Sequence, residues 1–342
     1  MGRILAALGL AFVVVLPKAP DAGAAPSDRI WFCPGPGTLD YAQLFEHPEQ
    51  WVHARQLLSV FKFYQQHTQT PAPDIVGPNS YEALVRAGAF RALNRWGKKT
   101  ALEVGAVKEF YCTSDARGMN ESIAASVASV RAVQNAGGSV AYLAMDEPFV
   151  SGRARICDGP ALEPTADRVA VYVTGVRAVF PDIRIGLIEA YPFSSADAIE
   201  TIVQLLKARN VTPAFLHMDV DWHLSGSTAF QRDMARLKTV AAAAGIPFGI
   251  IITGYDGDSD SLYGVDVYGI TDLIVGTFPT WDQMPDHIIF QSWVASKTGL
   301  RITPTNLDED TAFTHTAMLW DVFRRLRGTA GRLTGRAVAI SR

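Results

Sequence analysis

From residue 29 onward the chain alternates short runs rich in β-branched and aromatic residues with longer amphipathic segments. The strand-like runs are RIWFCPG (29–35), SVFKFYQQ (59–66), KTALEVGAVKEF (99–110) and SVAYLAMDEP (139–148). They continue with IRIGLIEAYPF (183–193), AFLHMDVDWH (214–223), PFGIIITGYDG (247–257) and HIIFQSWV (287–294). Between them lie stretches such as NESIAASVASVRAVQNAGG, whose apolar spacing fits a helix and whose closing glycines fit a helix stop. Strand-then-helix alternation implies a parallel sheet, and eight such units in about 315 residues imply a closed (β/α)₈ barrel in a single domain. The competing open, doubly wound sheet would carry a glycine-rich phosphate loop after its first strand. Here that position reads CPGPG, with prolines where free amides are needed.

The N-terminus adds a targeting expectation. Arg3, the apolar stretch 4–16 and the small residues 22–25 have the order of a secretory signal, so residues 1–25 are expected to be removed and 26–342 to form the barrel. That apolar stretch is too short to span a bilayer comfortably. The expected location is therefore secreted or periplasmic. Three cysteines remain, Cys33, Cys112 and Cys157. Cys112 and Cys157 follow neighbouring strands and are expected to pair, leaving Cys33 free in the first strand. The sequences NES (120–122) and NVT (210–212) match glycosylation acceptors.

Charge narrows the partners. With 31 basic and 34 acidic side chains, the net charge of −3 gives no reason to expect nucleic acid or an anionic membrane as partner.

In a barrel of this kind the chemistry gathers at the C-terminal ends of the strands. The fourth run ends there in Asp146-Glu147-Pro148, two carboxylates at the close of an apolar strand. This resembles the retaining (β/α)₈ glycoside hydrolases of clan A, whose fourth strand ends in Asn-Glu-Pro with the Glu as acid/base; Asp146 stands where that family has Asn. The resemblance implies that Glu147 is the general acid/base, a role that needs a carboxyl still protonated near neutral pH. The family's nucleophile, a Glu ending the seventh strand, has no counterpart, because that strand ends in Tyr255 and Asp256. Glu189, at the end of the fifth run, is the leading choice for the second catalytic carboxylate, with Asp256 and Asp219 behind it. An ion pair with Lys62 is the structural alternative for Glu189. Glu103 reads as structural, paired with Lys62 or Lys108.

In the sixth run, His217, Asp219, Asp221 and His223 share one face by the period-two rule. A histidine–aspartate metal site fits that spacing, but the paired first-strand histidines of barrel metallohydrolases are missing, and no metal or organic cofactor is expected. Aromatic residues collect at the strand ends, namely Tyr64, Tyr111, Phe149, Tyr191, Trp222, Tyr255 and Trp293. Sugar rings present apolar C–H faces, so aromatic walls over a carboxylate floor suit a carbohydrate. Asp146, Asp219, Asp221, Tyr64, Tyr191, Trp222, Tyr255, Asp256, Gln291 and Trp293 are the expected substrate contacts. The reading is a glycosidase acting on a poly- or oligosaccharide. Two alternatives stand beside it: a substrate-assisted hexosaminidase using the Asp146–Glu147 pair, and a barrel that binds polysaccharide without cleaving it.

Overall fold

The computed structural model describes residues 28–70, 79–108, 116–152, 161–299 and 301–332. Eight strands form a closed parallel barrel in sequence order. They are β1 (Ile30–Cys33), β2 (Val60–Tyr64), β3 (Lys99–Val104), β4 (Tyr142–Asp146), β5 (Arg184–Tyr191), β6 (Leu216–Val220), β7 (Phe248–Ile252) and β8 (His287–Gln291). Each falls within the run that the hydrophobic pattern marks. The connecting helices up to β4 are α1 (Gln43–Glu46), α2 (Val52–Leu57), α3 (Tyr81–Arg86), α4 (Ala89–Arg95) and α5 (Ala116–Asn135). After β4 come α6 (Pro148–Gly152), α7 (Glu163–Val179), α8 (Ala196–Ala208), α9 (Trp222–Ser225), α10 (Ser227–Ala243), α11 (Asp260–Thr277) and α12 (His315–Arg332). No helix among the described residues is long and apolar enough to cross a membrane.

Strand register decides which side chains enter the barrel. The partners Lys62↔Ala101, Glu103↔Ala144, Asp146↔Ile188, Ala190↔Asp219 and Asp219↔Ile251 share its inner face. The apolar filling of the barrel is Trp31, Val60, Ala101, Tyr142, Ala144, Ile188, Phe215, Ile251 and Ile289. His217 and His287 sit in the same packing, His217 Nε2 lying 2.9 Å from His287 Nδ1 and both rings beside Trp31. Burial pushes both imidazoles toward the neutral form, His287 down to about 4. With its centre plugged, the barrel keeps open space at its C-terminal mouth. The larger core lies between the barrel and its helices, where outward-facing residues such as Leu187, Met218 and Ile250 pack.

Several polar residues after the strands serve as helix caps rather than as chemistry. Ser195 Oγ accepts the Ala198 N–H at 3.2 Å, and Ser259 Oγ accepts that of Leu262 at 3.1 Å. Cys33 is buried in β1 and free. Cys112, Cys157, Tyr111 and the signal-like residues 1–25 lie outside the described residues.

Candidate active site

A cavity of about 530 Å³ opens at the C-terminal end of the barrel. Its carboxylates are Glu103 from β3, Asp146 and Glu147 at the end of β4, and Asp219 and Asp221 at the end of β6. Tyr64, Tyr191, Tyr255, Phe193 and Trp293 supply aromatic wall, and Gln291 lies at the floor.

Asp146 and Glu147 are consecutive, so a regular strand would send them to opposite faces. Asp146 keeps the inward position of the strand, level with Ile188. Glu147 reaches the same cavity because its backbone turns, with φ at +46°, into the left-handed region. A residue with a Cβ adopts that region at a cost of about 1–2 kcal/mol, so neighbouring contacts must hold it there. The Glu147 N–H donates to Ile188 O at 3.1 Å, which extends the β4–β5 pairing up to the turn. Pro148 then begins α6.

One ammonium spans the two carboxylates: Lys108 Nζ donates to Asp146 Oδ2 at 2.7 Å and to Glu147 Oε2 at 3.2 Å. Burial works against the Lys108 charge, but the paired acids hold its pKa above the usual value. For Asp146, burial is the leading cause of a rise to about 7; Glu103 and Glu147 add to it, and Lys108 opposes it. Burial also raises Asp219 well above the ordinary carboxylate range, reinforced by Glu147, Asp146 and Glu103. Burial and the neighbouring acids thus shift both Asp146 and Asp219 toward the protonated form.

Beneath them Lys62, fully buried, pairs with Glu103 and donates to Gln291 Oε1 at 2.5 Å, while Gln291 Nε2 donates to Glu103 Oε2 at 3.0 Å and to the Tyr64 hydroxyl at 3.1 Å. The expected Lys62–Glu103 pair is present. Glu103, read as structural, also reaches the cavity.

The structure does not bring Glu189 to the cavity. It lies on the outward face of β5, one position past the inward Ile188, and is fully buried. Its Oε1 accepts the Phe149 N–H at 2.8 Å and its Oε2 the Val150 N–H at 3.3 Å; the Ser194 hydroxyl lies 3.5 Å from Oε2. Burial pushes its pKa up to about 8, against the pull of those two amides. The alternative pairing with Lys62 does not form, since that lysine is bound to Glu103.

β6 corrects the period-two reading in part. The strand ends at Val220 and α9 begins at Trp222, so alternation cannot be carried past Asp219. Asp221 still lines the cavity and caps α9, accepting the Leu224 N–H at 3.2 Å. His223 turns instead to Asp266, 3.1 Å away, and His217 is packed in the barrel core. Trp222 packs toward Gly269 of α11, away from the cavity lining. Asp256 is likewise outside the lining, and its Oδ1 accepts the Asp258 N–H at 2.9 Å within its own loop. Of the expected aromatics, Phe149 is buried between barrel and helices. Lys108, Gln66, Pro36 and Phe193 line the cavity without having been expected there. Lys108 lies beyond the end of β3, and only the folded loop shows which acids it meets. Among the described residues no group of three His, Cys, Asp or Glu side chains has metal-holding geometry.

No family model matches the chain, and no curated protein matches it. Solved structures do. An endo-β1,6-glucanase aligns with 86% of this chain and 75% of its own at 8% identity and a TM-score of 0.55. A psychrophilic glycoside hydrolase family 10 endo-β-1,4-xylanase aligns with 86% and 96% at 10% identity and a TM-score of 0.51. A D-psicose 3-epimerase aligns with 88% and 99% at 11% identity and a TM-score of 0.49. The chain shares the (β/α)₈ barrel fold. At these identities the likeness extends to the fold alone.

Proposed function

We propose that the chain is a glycoside hydrolase acting on a poly- or oligosaccharide, with Glu147 as general acid/base. The observation that carries this is the placement of two consecutive carboxylates, Asp146 and Glu147, in one aromatic-walled cavity at the mouth of a (β/α)₈ barrel. The fold shared with a glucanase and a xylanase agrees with it. Glu147 protonates the departing glycosidic oxygen, and Asp146, with its carboxyl raised to about 7, keeps a proton at the pair near neutral pH.

Asp219 takes the second-carboxylate role first assigned to Glu189 and serves it in its ionised form, which the nearby Lys62 charge favours against burial. It lines the cavity on β6, two strands from Asp146. The separation of its carboxyl from that of Glu147 sets the stereochemical outcome, ~5–5.5 Å for retention and ~6.5–9.5 Å for inversion. A substrate-assisted hexosaminidase is the second reading. It is favoured by the side-by-side aim of Asp146 and Glu147, which would let Asp146 orient an acetamido group while Glu147 acts as the acid. Secretion or export to a periplasm is proposed with either reading, on the strength of residues 1–25.

The test is a screen of β-1,6-glucan, β-1,4-xylan, chitin oligosaccharides and their de-acetylated forms for reducing-end release. Cleavage of a neutral glycan supports the two-carboxylate reading. Cleavage confined to N-acetylated chains selects the substrate-assisted one. Binding with no release from any glycan overturns both and leaves the non-catalytic polysaccharide-binding barrel. With Asp146 needed as a proton source, the rate should fall as pH rises through about 7.

A further inference from the structure

Glu189 is an expensive residue to bury, and the cavity chemistry does not use it. It is fully inaccessible, lies outside the cavity lining, and has no cationic partner among the described contacts. What it does touch is the segment that follows Glu147. Pro148 has no N–H, so the first amides α6 must satisfy are those of Phe149 and Val150, and the two oxygens of the Glu189 carboxyl group accept both. On the other side of the turn, the Glu147 N–H is held by Ile188 O, one residue before Glu189 in β5. Residue 147 is therefore gripped on both sides by consecutive residues of one strand.

The grip matters because of what it prevents. Extended backbone at 147 would turn the side chain to the outer face of the barrel, the side on which Leu143 and Met145 pack. The left-handed φ of +46° keeps it in the cavity beside Asp146 and within reach of Lys108. A non-glycine residue stays in that region only where its surroundings over-determine it.

We propose that Glu189 is the positioning residue of this site: by accepting the Phe149 and Val150 amides, it holds Glu147 in the left-handed turn that aims its carboxyl into the cavity. This rests on the acid/base reading for its effect on rate, but not for its effect on geometry. The role explains why a carboxylate sits at the end of β5 without lining the cavity. It also explains the adjacent acidic pair, since two neighbouring carboxylates can face one cavity only with such a turn between them.

The decisive experiment is a double-mutant cycle of Glu147→Gln and Glu189→Gln, read as reducing-end release from whichever of β-1,6-glucan, β-1,4-xylan and chitin oligosaccharides the wild type cleaves fastest. Glu189→Gln retains size but loses one of the two acceptors. It should lower kcat by ~10–10²-fold with KM near the wild-type value, because a small misplacement of a reacting group costs that much. On the Glu147→Gln background the same change should cost nothing further. Where Glu147→Gln itself is impaired, a Glu189→Gln rate within twofold of wild type overturns the proposal, as does a loss repeated in full on the Glu147→Gln background.

Amide exchange measured by NMR separates this outcome from failure of the acid/base reading. The Phe149 and Val150 amides should be strongly protected in the wild type. In Glu189→Gln at least one should exchange ~10-fold faster, while those of Tyr142–Asp146 stay unchanged. That result supports the positioning role even where Glu147→Gln retains full activity and the catalytic reading falls. Equal exchange in the two proteins overturns it. If Glu189→Gln does not fold, the wild type decides alone: slow exchange at both amides supports the role, and exchange at the rate of an open loop overturns it.

Discussion

A single backbone angle decides whether Glu147 faces the cavity or the helix layer, and a single ammonium spans the pair. Lys108 Nζ bridges Asp146 and Glu147 and favours the ionised form of Asp146. Lys108→Met removes that charge while keeping most of the side-chain length. Asp146, already raised to about 7 by burial, should then hold its proton to higher pH, and the alkaline limb of the rate profile should move upward. A limb that stays in place would show that Lys108 does not tune the pair. At this scale the sequence marked the acidic pair but not its geometry. Asp146 and Glu147 could be read from the end of an apolar run. The turn between them, the lysine above them and the anchor behind them depend on contacts across strands.

At the scale of single elements, β5 and β6 show where pattern reading runs out. In β5 every residue after Arg184 is buried, so apolar character does not mark which side faces the barrel. Parity then had to come from pairing: Ile188 opposite Asp146 points inward, and Glu189 points outward. In β6 the alternation was real but short, and carrying it past Val220 assigned Trp222 and His223 to a strand that had already become a helix.

β5 also carries a packing constraint that can be tested. A Cβ on Gly186 would lie 2.3 Å from the Phe215 ring, which fills the barrel beneath the cavity. Gly186→Ala should therefore destabilise the fold by about 1–3 kcal/mol through overpacking. Urea unfolding measures this as a lower midpoint at unchanged slope. An unchanged midpoint would mean that the ring has room to move.

For the whole molecule, the eight-unit alternation was enough to give the closed barrel, because strand–helix periodicity is a local property repeated along the chain. It did not show how the barrel is plugged or which buried groups oppose ionisation, and those groups set the pH response. Burial raises Asp146 to about 7, Glu189 to about 8 and Asp219 well above the usual range. A raised carboxyl stabilises the fold fully below its unfolded pKa and loses that contribution as pH rises through its folded one. Burial lowers His67 and His315 to about 3, His287 to about 4 and His217 well below its usual value. These imidazoles act with the opposite sign. Their contribution is present above ~6.5 and is lost as pH falls below it. The Tm should therefore be highest near pH 6–6.5 and decline on both sides, which calorimetry across pH 4.5–9 will show. A Tm that rises steadily to pH 9 would contradict these burial assignments.

The most direct test of the functional account compares wild type and Glu147→Gln on one glycan. Glutamine keeps the size and hydrogen bonding of Glu147 but has no proton to give. With both proteins folded, reducing-end release by the variant should fall ~10²–10⁴-fold, equivalent to about 3–5 kcal/mol of barrier, with substrate binding largely retained. A folded Glu147→Gln that cleaves at close to the wild-type rate would contradict the assignment of Glu147 as acid/base.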